Sequence, residues 1–60
     1  MTRKDYVAVA ARIRNILDGN SANGVVLGVS MTAKALADVF ALDNPRFDRE
    51  RFLKAAGVQS

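Results

Sequence analysis

The chain has 60 residues, a formal net charge of +3 and an apolar fraction of 50%. Sixty residues form at most one domain, expected over 1–60, and bury only about 60% of the surface of the unfolded chain. Cys and His are absent, which excludes disulfides and the usual ligands of structural zinc. Helix packing or self-association must therefore stabilise the domain.

The same composition argues against an enzyme. Without His and Cys, the commonest general base and the best nucleophile are missing. The hydroxyl side chains lie in no recognisable nucleophile motif; they are Thr2, Tyr6, Ser21, Ser30, Thr32 and Ser60. Asp43, Asp48 and Glu50 could form a metal site or an acid–base pair, but turns and helix caps are the commoner roles at such positions. We predict a non-enzymatic protein without catalytic, cofactor or metal sites.

The charge is spread along the chain. Residues 1–18 carry +2, residues 19–42 carry 0 and residues 43–60 carry +1, so there is no basic tail. The chain has no unbroken run of 18 apolar residues, and its N-terminus has no apolar segment typical of a secretory signal. The sequence predicts a cytoplasmic protein that does not contact a membrane.

The first predicted helix covers residues 3–18. Thr2 is a good N-cap and Asp5, three residues later, completes a capping box. Gly19 is expected to end the helix in a left-handed conformation. Helical spacing places six side chains on the inward face: Tyr6, Val9, Ala10, Ile13, Ile16 and Leu17.

The second predicted helix covers residues 24–42, with an apolar stripe made of Val25, Val26, Val29, Ala33, Leu36 and Phe40. Two alternatives exist for this part of the chain. "VVLGV" could be a short strand, although a lone strand would leave its backbone groups without partners. Ser30 or Thr32 could cap a shorter helix that begins later. We favour the long helix.

A second apolar stripe lies behind the first if this helix is long. Leu27, Met31, Ala35 and Leu42 form it, and we predict a protein interface there. The partner would be an unknown protein, including one of a host, or a second copy of the chain. In a two-fold homodimer, Lys34 of one chain could meet Asp38 of the other.

The stretch "DNPRFDRERFLKAAGV" is expected to close the fold. Pro45 ends the second helix, and Asp48 caps a third helix over residues 48–56. Phe47 and Phe52 occupy the positions of a hydrophobic staple. Gly57 should end this helix and let the chain fold back. The sequence therefore predicts an all-α fold, a small three-helix bundle.

Nucleic-acid binding is the alternative interpretation of this stretch. The second and third helices could form a helix-turn-helix with Arg46, Arg49 and Arg51 near the start of a recognition helix. Asp48 and Glu50 lie among these arginines and would repel phosphates. We therefore expect nucleic-acid binding less than protein binding.

Both ends of the chain resemble a known group of sequences. "MTRKDYVAVAARIR" and "LDNPRFDRERFLKAAGV" are similar to segments of short, uncharacterised proteins of bacteriophages and prophages. The resemblance covers about half of the chain and implies a phage setting within a bacterial cytoplasm. It supplies no functional residues. Our hypothesis is a phage-type helical protein that binds another protein, such as a host factor or a defence protein; an accessory DNA-binding protein is the alternative.

Overall fold

Three helices and no strand are formed by residues 1–20 and 22–58, which are the residues that the computed structural model describes. Helix α1 spans Arg3–Asp18, α2 spans Asn23–Asp43 and α3 spans Arg49–Ala55. The predicted all-α three-helix fold is confirmed. The alternatives of a strand at "VVLGV" and of a shorter second helix are both wrong. Ser21 and Ser60 lie outside the described residues.

Side-chain and backbone caps set both ends of α1. The Thr2 amide donates to the Asp5 carboxylate at 2.9 Å, so the predicted capping box is present. Gly19, however, has φ of −87° and is not left-handed. The Asn20 side-chain amide donates to the Ile16 carbonyl at 2.8 Å instead, and thereby satisfies one of the last carbonyls of the helix.

The core lies where the three helices meet. Ala10, Ala33 and Ala37 are almost completely buried, and such small side chains let helices approach closely. Ala37 was not among the predicted core residues. Larger side chains complete the core: Tyr6, Ile13, Phe40, Phe52, Leu53 and Val58.

Helix α3 ends as the sequence predicts. Gly57 has φ of +80°, which is the left-handed conformation. The Gly57 amide donates to the Lys54 carbonyl at 3.1 Å, and the Val58 amide donates to the Leu53 carbonyl at 2.9 Å. These two bonds define a Schellman motif. The motif folds Val58 back into the core, where it is 5% exposed.

The lengths of the helices determine which part of α2 is buried. With 21 residues α2 is about 31 Å long, whereas the seven residues of α3 extend only about 10 Å. The buried residues of α2, Ala33, Ala37 and Phe40, all lie in its second half. Val25 and Val26, predicted in the core, are each 38% exposed. That part of the prediction is wrong because α3 is too short to cover the first turns of α2.

Candidate functional site

The outer face of α2, defined by Leu27, Met31, Ala35 and Leu42, is exposed over the length of the helix. Leu27 and Met31 are each 63% exposed and Leu42 is 88% exposed; Ala35 is also exposed. The residues follow one another at intervals of four, four and seven, so they lie along one side of the helix. A continuous apolar patch of this kind is typical of an interaction site, unlike scattered apolar residues.

Two glycines lie on the same side of α2 without a packing reason. A Cβ atom at Gly24 or Gly28 would meet no atom within 4 Å. Glycine in a helix interior costs about 1 kcal/mol relative to alanine, and the packing of the described residues does not offset that cost. A glycine on a helix surface lets another backbone approach closely. The sequence contained this signal as the spacing Gly24-x-x-x-Gly28, which by itself is weak.

Helix α2 is also long and apolar enough to cross a membrane by length and composition. Its most apolar 18-residue window has a mean hydropathy of 1.7, and 17% of that window is buried. The sequence argument against a span considered only unbroken apolar runs, and the small residues of α2 satisfy the broader criterion. Core helices of soluble proteins satisfy it too. The absence of membrane contact stays a prediction.

An ion pair fixes Arg49 on the α2 side of α3. The Arg49 Nε lies 2.9 Å from Asp38 Oδ1. The Lys34–Asp38 contact expected between two copies would therefore have to compete with a partner that Asp38 already has within its own chain.

The other two predicted nucleic-acid contacts, Arg46 and Arg51, lie in a groove on the opposite side. They line it together with Arg3 from the start of α1; we call this the arginine groove. Residues 49 and 51 are two apart on one helix and cannot share a face. The structure thus separates Arg49 from the other two and adds Arg3, which the sequence analysis did not assign to a site.

The arginine groove has a volume of about 660 Å³ and runs between α1 and the segment formed by the α2–α3 turn and α3. That volume lies within the usual range of ligand sites. Below the arginines the lining is apolar and largely aromatic, with Tyr6, Val7, Ala10, Phe47, Phe52 and Ala55. The groove therefore combines positive charge at its edge with an apolar floor.

Tyr6 contributes an unusual feature to this lining. Its residue is 8% exposed, and its hydroxyl is the one buried side-chain polar atom that has no hydrogen-bond partner among the described residues. A buried polar group without a partner costs roughly 1–3 kcal/mol, so native structures rarely retain one unless it has a role.

The carboxylates that sequence analysis considered for chemistry have structural roles or face solvent. Asp48 Oδ1 accepts from the Arg51 amide at 3.0 Å and so caps α3. Asp43 and Glu50 are exposed. Within 1–20 and 22–58, no group of three or more potential metal ligands is placed to hold an ion.

Comparisons with models of protein families, with curated proteins and with solved structures give no match. The resemblance of the two ends to short phage proteins therefore stays a prediction.

Proposed function

We propose that this chain is a small non-enzymatic binding protein that docks a helix of a partner protein along the outer face of α2. The observation that supports this most directly is the run of exposed apolar side chains from Leu27 to Leu42. Six of the nine large hydrophobic side chains that are exposed belong to α2. Covering apolar surface yields about 25 cal/mol for each Å², so this face has the strongest tendency to acquire a partner.

A helix is the partner that fits the face best. The apolar residues form one narrow line along α2, which matches the apolar line of an amphipathic helix packed alongside. Gly24 and Gly28 leave space near the backbone, so the partner helix can come closer at that end. A strand would need an open sheet edge, and the described residues form none.

The resemblance to phage proteins suggests where the binding takes place. A bacterial cytoplasm supplies host factors and defence proteins as partners, and blocking a surface on one of them requires no catalytic group. We favour protein binding over the helix-turn-helix alternative because Arg49 is held by Asp38 and does not join Arg46 and Arg51.

Site-specific photocrosslinking in the bacterial host tests the proposal. A photoreactive amino acid at Met31 should capture one dominant protein that survives nuclease treatment. The same amino acid at Ala11, which is exposed on α1, should not capture it. Introducing Leu27→Lys into the Met31 crosslinker should abolish the capture. A product at twice the 6.5 kDa of the chain would identify a second copy as the partner, and crosslinks to lipid would identify a membrane; either would contradict the proposal.

A further inference from the structure

The arginine groove contains positive charge that the described residues do not neutralise. Their ion pairs are Arg14–Asp18 and Arg49–Asp38. Arg3, Arg46 and Arg51 line the groove, are not held in such a pair and face a single lining carboxylate, Asp48. Three guanidinium groups against one carboxylate leave a charge of +2.

The carboxylate in the lining is already engaged. Asp48 accepts the Arg51 amide hydrogen bond at 3.0 Å as the cap of α3. The guanidinium groups extend from three places in the fold: the first residue of α1, the α2–α3 turn and the first turn of α3. Exposed guanidinium groups that converge on one groove favour an anion with several acceptor oxygens, because Arg binds carboxylates in a bidentate manner.

The floor of the groove defines the rest of the ligand. Tyr6 and Phe52 are buried, and Phe47 is half-buried beside them. A purely polar anion would leave this apolar floor in contact with water. A ligand that carries an apolar side chain between acidic groups satisfies both the floor and the edge.

We propose that the arginine groove binds an acidic peptide segment of a partner protein, with an apolar side chain of the segment on the aromatic floor. The carboxylates of the segment pair with Arg3, Arg46 and Arg51. This site is separate from the outer face of α2, since none of its lining residues belongs to that face.

A peptide fits the groove better than a nucleic acid does. Single-stranded nucleic acids bind through bases stacked on exposed aromatic rings, whereas Tyr6 and Phe52 are buried here. Duplex DNA is held by phosphate contacts distributed along the backbone. Three arginines around a groove of about 660 Å³ offer instead the dimensions of a ligand site.

Fluorescence anisotropy with the full chain tests the proposal. The probe is a short fluorescein-labelled peptide in which glutamates alternate with leucine and phenylalanine. We expect saturable binding that Arg46→Gln and Arg51→Gln each weaken about tenfold, the loss expected for a charge-assisted hydrogen bond. Arg12→Gln removes the same charge from an exposed position on α1 outside the groove, and it should leave the affinity unchanged.

Further arms of the same experiment decide against the alternatives. The peptide with glutamine in place of glutamate should not bind. Leu27→Lys should bind the acidic peptide normally, which distinguishes this site from the outer face of α2. The proposal is overturned if the glutamine peptide binds equally well, if Arg12→Gln weakens binding as much as Arg46→Gln, or if a fluorescein-labelled oligonucleotide binds more tightly than the peptide. Absence of binding at about 1 mM, where weak complexes still form, also overturns it.

Discussion

The ring of Phe47 packs edge-on against the ring of Tyr6, with centroids 4.6 Å apart and planes inclined by 62°. Phe47 belongs to the turn after α2 and Tyr6 to α1, so the contact joins distant parts of the chain. Phe40 and Phe52 complete the cluster, with centroids 5.0–5.6 Å from their neighbours. Aromatic pairs contribute about 0.5–1.5 kcal/mol beyond the area that they bury. The same rings stabilise the fold and form the floor of the arginine groove.

Phe52→Ala should unfold much of the protein. Phe52 is 4% exposed, and removing a buried phenylalanine costs about 3–5 kcal/mol. A small domain has little more than about 5 kcal/mol in total. Helical circular dichroism at room temperature should therefore fall sharply. Leu42→Ala is the control, since Leu42 is 88% exposed and exposed substitutions usually stay within about 0.5 kcal/mol. Equal melting temperatures for both variants would contradict the assignment of Phe52 to the core.

Tyr6→Phe should stabilise the isolated chain by about 1 kcal/mol. The substitution keeps the ring and removes a buried hydroxyl without a hydrogen-bond partner, and such a group carries a desolvation penalty. The check is the midpoint of urea denaturation, which should rise with an unchanged slope. A lower midpoint would mean that the hydroxyl has a stabilising partner in solution.

Two glycine substitutions should change stability in opposite directions. Gly57→Ala should cost about 1–2 kcal/mol, because φ of +80° places a Cβ in the unfavourable left-handed region. Gly28→Ala should stabilise the free chain by about 1 kcal/mol, because α2 has space for the methyl group, and should weaken binding of the partner helix. Thermal unfolding followed by circular dichroism measures both. The same sign for the two variants would contradict the argument.

The helix boundaries could be predicted because local chemistry determines them. Thr2 with Asp5 begins α1, Asp48 begins α3 and Gly57 ends it, and each acts through hydrogen bonds within a few residues. Gly19 shows the limit of such rules: the helix ends there without a left-handed residue, because the Asn20 side chain caps it.

The arginine groove could not be predicted, because tertiary packing creates it. Arg3 and Arg51 are far apart in sequence and come together only when α1 packs against α3. The separation of Arg49 from Arg51 could have been foreseen from their helical spacing. The exposure of the outer face of α2 could be predicted, since Leu27 and Met31 follow a stripe distinct from the core stripe.

Acid should weaken the start of α1 through Asp5. The hydrogen bond from the Thr2 amide is the main cause that holds the pKa of Asp5 below its ordinary value of 3.8. A carboxylate with a lowered folded-state pKa contributes stability that is fully present above 3.8 and is lost as the pH falls through the folded-state pKa. Wild type and Asp5→Asn should therefore differ in melting temperature at neutral pH and converge in strong acid. A difference that is independent of pH would contradict the role of the Asp5 charge.

Leu27→Lys combined with Met31→Lys should leave the fold intact and abolish binding of the partner helix. Both side chains are 63% exposed, so the lysines remain in water in the free chain. In a complex they would place charges in an apolar interface, and we expect more than about a tenfold loss of affinity. Circular dichroism and the melting temperature establish folding, and quantitative capture of the crosslinked partner establishes binding. Lys34→Glu is a control that changes charge at a neighbouring exposed position outside the apolar line. An unfolded double variant would place the stripe in the core, and undiminished capture would remove the outer face of α2 as the binding site. Analytical ultracentrifugation separates the remaining case: a wild-type dimer that the double variant converts to a 6.5 kDa monomer would mean that a second copy covers this face.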